Sequence, residues 1–348
     1  MKKIYVFCPA KIVSGGPEAL HQLVDAVNAL GGDGFIVYTD GVDIKTKSVK
    51  TPFRYKRYNT PQATLDTIVF DPENIFVVPE SIPQLIDSIP RGEKCLWWLS
   101  VGFKQDQYNY KALSDIIHLY QSEHARLFVE DNINPKQIYP LSDYVVVDKA
   151  QQESKRDEIA LVERKLDNRL KPLVEALKSQ FKVTVISGLS RFRLGKLLAR
   201  TKVFVDFGSH PGKDRLPREA AINGNVILTS SFGASSNHID VPISTKYKVS
   251  AATSIKEISV LLDQCLASHT QCLSDFQLYR EGIQKEKNVF FTEVDSLFEL
   301  KNSDDSIQDI TVSHNLAGSS FAERLMESAV LIYCRRIIEY IRIKVLKN

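Results

Sequence analysis

Apolar residues fall along this chain in short runs, separated by stretches in which they recur every third or fourth position. Residues 4–8 form a continuous apolar run suited to a buried strand. Leu20, Leu23, Val24, Val27 and Leu30 follow at helical spacing. That spacing predicts a helix over 17–30, with Pro17 in its first turn and Gly31-Gly32 as its stop. Residues 35–38, 75–78, 95–99, 118–121 and 144–147 repeat the strand pattern.

The second half keeps the rhythm. Helices are expected over 168–180, 190–199 and 216–223, and strands over 182–187, 203–207 and 226–229. Further helices are expected over 255–265 and around 276–285, and a polar loop over 301–306. Such alternation implies parallel sheets with helices on both faces. Two such halves imply an α/β protein of two Rossmann-like domains. The polar stretch 148–157 is the best boundary. It gives a first domain over 1–148, a second over 149–320, and a final segment over 321–348.

Composition changes this picture little. The chain has 348 residues, 43% of them hydrophobic and 25% charged, with a net charge of +3. That length suits about two domains, each with its own core. The charge is too mild for nucleic acid to be the main partner. The five cysteines, Cys8, Cys95, Cys265, Cys272 and Cys334, show no CxxC spacing, so neither a disulfide framework nor a zinc site is expected. A reducing compartment fits. The first ten residues carry too short an apolar run for a signal peptide, and no run is long enough to span a bilayer.

Three places carry candidate chemistry. The loop Ser14-Gly15-Gly16-Pro17-Glu18 leads from the first strand into the first helix, where glycines let a ligand approach backbone amides. A plain tight turn would read the same. His21, one turn further on, is either a polar site residue or a surface one. Trp97-Trp98-Leu99-Ser100 ends a strand, so the adjacent tryptophans point to opposite faces. One of them, with Ser100, could wall a sugar site; both could equally be packing residues. The third place is the loop Gly208-Ser209-His210-Pro211-Gly212-Lys213-Asp214-Arg215, which opens the helix carrying Arg218 and Glu219 and closing at Gly224. Lys213, Arg215 and Arg218 suit a diphosphate leaving group. Glu219 can accept ribose hydroxyls, as acids do in dinucleotide sites. The alternative is a salt-bridged loop with Arg218 paired to Asp214. The Gly/Ser-rich loop 231–238 is either a donor contact or a flexible connection.

At this third place the chain resembles the second domain of GT-B glycosyltransferases. In retaining members of that architecture, a Gly/Pro loop and a helix of the form Glu-Ala-x-x-x-Gly precede the next strand, and Glu219-Ala220-Ala221-Ile222-Asn223-Gly224 matches that form. With Trp97–Ser100 and the Gly15-Gly16 loop, the chain is similar to bacterial polysaccharide-type glycosyltransferases of family 4, or group 1. The resemblance implies two Rossmann-like domains facing across a cleft. It implies a nucleotide-sugar donor held by Glu219 at the ribose and by Lys213 and Arg218 at the diphosphate. It implies no cofactor and no metal, and a glycan or lipid-linked acceptor in surface polysaccharide biosynthesis. The usual second Glu, eight residues before Glu219, is here Pro211. Asp214 and His21 remain as catalytic candidates. A nucleotide-sugar epimerase and a non-catalytic assembly protein are the alternatives.

In the final segment, apolar positions at helical spacing interleave with Arg335, Arg336, Arg342, Lys344 and Lys347. This predicts a basic amphipathic helix that lies either on an anionic membrane or on the protein's own body. The expected location is cytoplasmic, peripheral at the inner face of the membrane if that helix binds lipid.

Overall fold

The computed structural model describes residues 2–102, 109–146 and 154–300. Met1–Leu300 forms one compact unit. The expected tail helix over 321–348, the loop over 301–306 and Cys334 lie outside the described residues.

The first sheet is built from β1 (Lys3–Pro9), β2 (Asp33–Asp40), β3 (Asp43–Ile44), β4 (Gln62–Ala63), β5 (Ile75–Pro79), β6 (Glu93–Trp98), β7 (Ile117–Tyr120) and β8 (Gln137–Pro140). Its order is β3-β2-β1-β5-β6-β7-β8, with β4 beside β2. All of its pairs are parallel except the β2–β3 edge. Helix α1 (Gly15–Ala29) connects β1 to β2, and α2 (Glu123–Ile133) connects β7 to β8. Both faces of the sheet are apolar, as parallel strands require. Ile4, Val6, Val77 and Trp97 line one face, while Tyr5, Phe7, Phe76 and Trp98 line the other.

The second sheet is wholly parallel, in the order β10-β9-β11-β12-β13. Its strands are β9 (Arg156–Val162), β10 (Val183–Ile186), β11 (Thr201–Asp206), β12 (Val226–Ser230) and β13 (Lys248–Val249). Between and after them come α3 (Lys171–Gln180), α4 (Arg191–Arg200), α5 (Arg215–Ile222), α6 (Ile255–Ala267), α7 (His269–Ser274) and α8 (Gln277–Phe298).

Several elements depart from the sequence expectations. No strand forms over 144–146, although Tyr144 and Val145 are buried. The neighbouring β8 pairs with β7 instead. Strand β9 begins with three charged residues, which hide it from an apolar-run search, yet it lies between β10 and β11. Helix α2 was not anticipated; Ser122 caps it by accepting from the Ala125 amide, and Asn134 closes it in the left-handed region. Helix α8 is longer than expected. Its first half packs Tyr279 and Ile283 into the second core, and its second half packs Phe290, Val294 and Phe298 into the first. It therefore serves both sheets, which a division at residue 148 does not convey.

Candidate functional site

The loops at the carboxyl ends of the strands in both sheets meet. Val101 N, just beyond β6, donates to the carbonyl of Pro211, just beyond β11, at 2.6 Å. Gly212 lies so close to the Leu99 carbonyl that an added methyl would collide with it. Lys213 N donates to Gln121 Oε1 at 3.0 Å. Asp240, after β12, accepts from the amides of Glu123 at 2.7 Å and His124 at 2.9 Å. A carboxylate from one sheet thus occupies the helix N-terminus of the other.

A network of ions crosses this contact. Arg218 is fully buried; it pairs with Asp143 and Glu286, each at 2.8 Å. Lys213 pairs with Glu286 at 2.9 Å. Arg215 pairs with Asp143 at 2.8 Å and approaches Glu18 of α1 at 3.7 Å. Glu18 also holds Arg54 and Arg57. Burial works against ionisation of Asp143, but Arg218, Arg215 and Lys213 outweigh it and hold the carboxyl below its ordinary range. Glu18 behaves likewise: burial opposes its charge, and Arg215, Arg54 and Arg57 overcome that opposition.

Two polar groups in this region are unspent. The Glu219 carboxylate has no hydrogen bond or ion pair among the described residues. Burial raises its pKa, moderated by the nearby cations Arg215, Arg54 and Arg191. Arg215 Nε is buried without a hydrogen-bond partner. A half-buried, unpartnered acid whose charge is favoured by three guanidinium groups can accept a ligand's hydroxyls while those cations attract its negative charge.

Behind the loop, His210 links the Asp214 carboxylate to the main chain of Asp206. Its Nδ1 lies 3.0 Å from Asp214 and its Nε2 3.1 Å from the Asp206 carbonyl. Burial opposes the imidazolium, but Asp214 and Asp206 raise the His210 pKa above its ordinary value. Burial lifts Asp206 to about 6. Side-chain ligand atoms of Asp206, His210 and Asp214 lie within 4.8 Å of one another. Both ring nitrogens are already hydrogen-bonded, so a metal ion there would have to displace one of these bonds.

The sequence candidates fare unequally. Glu219, Lys213 and Arg215 all stand where the two sheets meet. Gly15 does too: a Cβ there would stand 2.9 Å from Arg215 Cδ, and one on Gly16 would stand 3.8 Å from Leu99. Asp214 is partly exposed and held by His210 and by Lys165 at 3.7 Å. Ser100 donates to Glu80 at 2.6 Å.

Four expectations need correction. Arg218 does not face solvent as a diphosphate ligand, because its guanidinium is enclosed by Asp143, Glu286 and the carbonyls of Lys213 and Asp214. Trp98 is no sugar wall; it is 1% exposed and donates to His118 Nδ1 inside the core. His21 is no open catalytic group. Its ring is buried, bonded to the Pro17 carbonyl and the Tyr38 hydroxyl, and burial lowers its pKa to about 4. The 231–238 loop is not a slack connection. Gly233 takes a φ of +56° against the His210 carbonyl, and Ala234 N donates to that same oxygen.

Asp143, Glu286, Arg54 and Glu80 escaped notice in the sequence. Each is a lone polar residue without a motif around it. Burial raises Glu80, at the end of β5, to about 7, although Ser100 and the Leu99 amide bind its charged form.

No protein-family model matches this sequence, and no curated protein matches it either. Solved structures match its fold. The chain is similar to a glycosyltransferase from Rickettsia africae ESF-5 at 14% identity and a TM-score of 0.59, over 87% of this chain and 99% of that one. It is similar to sucrose-phosphate synthase from Thermosynechococcus elongatus at 12% identity and a TM-score of 0.61, over 86% and 98%. A TarM mutant from S. aureus, solved with Fondaparinux, alpha-GlcNAc-glycerol and UDP, matches at 13% identity and a TM-score of 0.51, over 67% of this chain; the chain spans only 57% of that protein. At these identities the likeness defines the fold, and that fold is the GT-B glycosyltransferase fold.

Proposed function

We propose, from the GT-B fold as premise, that this chain transfers a sugar from a nucleotide-sugar donor to a glycan or lipid-linked acceptor. The observation that carries the proposal is the unpartnered Glu219 carboxylate at the meeting of the two sheets, within electrostatic reach of Arg215, Arg54 and Arg191. Glu219 would accept the donor's ribose hydroxyls. Arg215 and Lys213 would stabilise the charge that builds on the diphosphate as the glycosidic bond breaks. Both cations now pair with Asp143 and Glu286, so the donor competes for them with carboxylates. Arg218 supports the arrangement from beneath by fixing those same two acids.

TarM was solved with UDP, so UDP heads the nucleotides to test. The finer proposals are a hexosyl donor, metal-independent transfer, a role in surface polysaccharide biosynthesis and a cytoplasmic, membrane-peripheral location. No described helix is long and apolar enough to cross a membrane.

The test is a thermal-shift panel of UDP, GDP, TDP and CMP on the wild type and Glu219→Ala, followed by product analysis with the corresponding donor sugars. Stabilisation of the wild type alone supports the proposal. No stabilisation by any nucleotide supports a second reading, a non-catalytic assembly protein, which the neutralisation of Lys213, Arg215 and Arg218 by carboxylates favours.

A further inference from the structure

We infer that the loop rim at the carboxyl ends of β1 and β2 is a docking surface for an anionic lipid membrane, with Phe53 as its apolar tip and Lys47, Lys50 and Lys56 as its basic collar. Loops 10–14, 41–42 and 45–57 build this rim. They are tied together from below: the Tyr55 hydroxyl accepts from Ser14 N and donates to Ser14 O, each at 3.0 Å. Lys11 reaches Asp40 at 3.8 Å. Tyr55 is wholly buried and stacks on His21, with centroids 4.3 Å apart.

Phe53, two positions away from that anchored ring, is 90% exposed, more than any other large apolar side chain described. Val13, Ile12 and Val42 on the neighbouring turns are also about half exposed. Single exposed apolar residues are ordinary. The charge around Phe53 is what sets this one apart.

Residues 41–58 hold six Lys/Arg against one acidic residue, Asp43. Arg54 and Arg57 are taken by Glu18, and Lys45 by Asp40. Lys47, Lys50 and Lys56 are exposed and have no ion pair among the described residues. An exposed ring flanked along the chain by Lys47, Lys50 and Lys56 presents apolar surface and unpaired positive charge together. That combination matches the diffuse negative field of an anionic leaflet, into whose headgroup boundary an aromatic ring can settle.

Gly15, on the same rim, abuts Arg215. Docking would bring the meeting of the two sheets to the membrane surface. The benefit for a lipid-linked acceptor rests on the proposed transferase activity; the docking itself does not.

The test is sedimentation of the full-length protein with vesicles of phosphatidylcholine alone and of phosphatidylcholine mixed with phosphatidylglycerol, at low and high salt. Binding is expected to the mixed vesicles only, weakening as salt rises. Phe53→Ser should weaken it about tenfold. Lys47→Glu/Lys50→Glu/Lys56→Glu should weaken it at least about a hundredfold, from roughly fivefold per lysine charge. Any nucleotide-induced thermal shift should survive in both variants. Equal binding to pure phosphatidylcholine overturns the inference, as does no vesicle binding at all. Unchanged binding in both variants overturns it as well and assigns attachment elsewhere in the chain. A missing nucleotide shift with vesicle binding intact would count against the transferase proposal alone.

Discussion

Arg218 and Asp143 stand 75 positions apart in the chain, yet Arg218 Nη2 lies 2.8 Å from Asp143 Oδ1 with both side chains sealed from water. Glu286 of α8 accepts from the other arm of the same guanidinium. Three segments, from both halves of the chain, thus converge on one buried cation. Such a pair is costly to break, because removing one partner strands the other charge in a poorly solvated interior.

Arg218→Ala should therefore lower unfolding stability by about 3–5 kcal/mol. Arg218→Lys should recover little of it, since an ammonium cannot span both acids as a planar fork does. Chemical denaturation monitored by tryptophan fluorescence checks this, with Trp97 and Trp98 as probes buried in the first sheet. A loss under about 1 kcal/mol for the alanine variant would remove Arg218 from the role of structural clasp.

Glu219→Ala should behave in the opposite way. Burial already disfavours this carboxylate, and no described group needs it, so the melting temperature should hold or rise. Stabilisation by the nucleotide that binds the wild type should disappear. A variant that keeps the full nucleotide shift would show that Glu219 makes no donor contact.

Glu80 should leave a signature in pH. Its folded value of about 7 lies above the ordinary 4.5, so between these values the folded protein holds a proton that the unfolded chain has released. The stability from that proton is fully present below the ordinary value and is lost as pH rises through 7. Glu80→Gln cannot titrate. The stability of the variant minus that of the wild type should thus grow more positive from about pH 4.5 to about pH 8, by up to roughly 3 kcal/mol. A flat difference across that range would contradict the raised value.

Gly233→Ala should destabilise by more than a kcal/mol or so, since the site combines a positive φ with a carbonyl where the methyl must go. Gly212→Ala meets only the steric half of this problem, against Leu99 O. It should loosen the contact between the two sheets, read as faster amide exchange at Val101, whose hydrogen bond to Pro211 spans that contact. Unaltered exchange at Val101 would mean that the loop absorbs the methyl without disturbing the contact.

Much of the second sheet was legible in the chain because its signals are local. The 203–207 run became β11, and the helix expected over 216–223, with Pro217 in its first turn and Gly224 just past its end, became α5. Among the elements that escaped, β9 opens with three charged residues and α2 with a Glu-His pair, so neither begins on an apolar run. The candidate site divides along the same line. Residue types and spacing brought Glu219, Lys213, Arg215 and Gly15 into one proposal, and the fold set them together. That Arg218 turns inward could not be read locally, because the acids that bind it stand 68 and 75 positions away.

By itself the sequence determined the alternation of parallel strands and helices and the loop that opens α5, because hydrophobic period, glycine freedom and proline geometry act within a few residues. Only the tertiary structure decided which charges are spent and which remain free. Arg218, Trp98 and His21 were claimed by buried partners, while Glu219 and Arg215 Nε were left without them. The physical reason is that an ion pair or a buried hydrogen bond depends on distance in space and on exclusion of water, and neither is encoded in the spacing of letters along a chain.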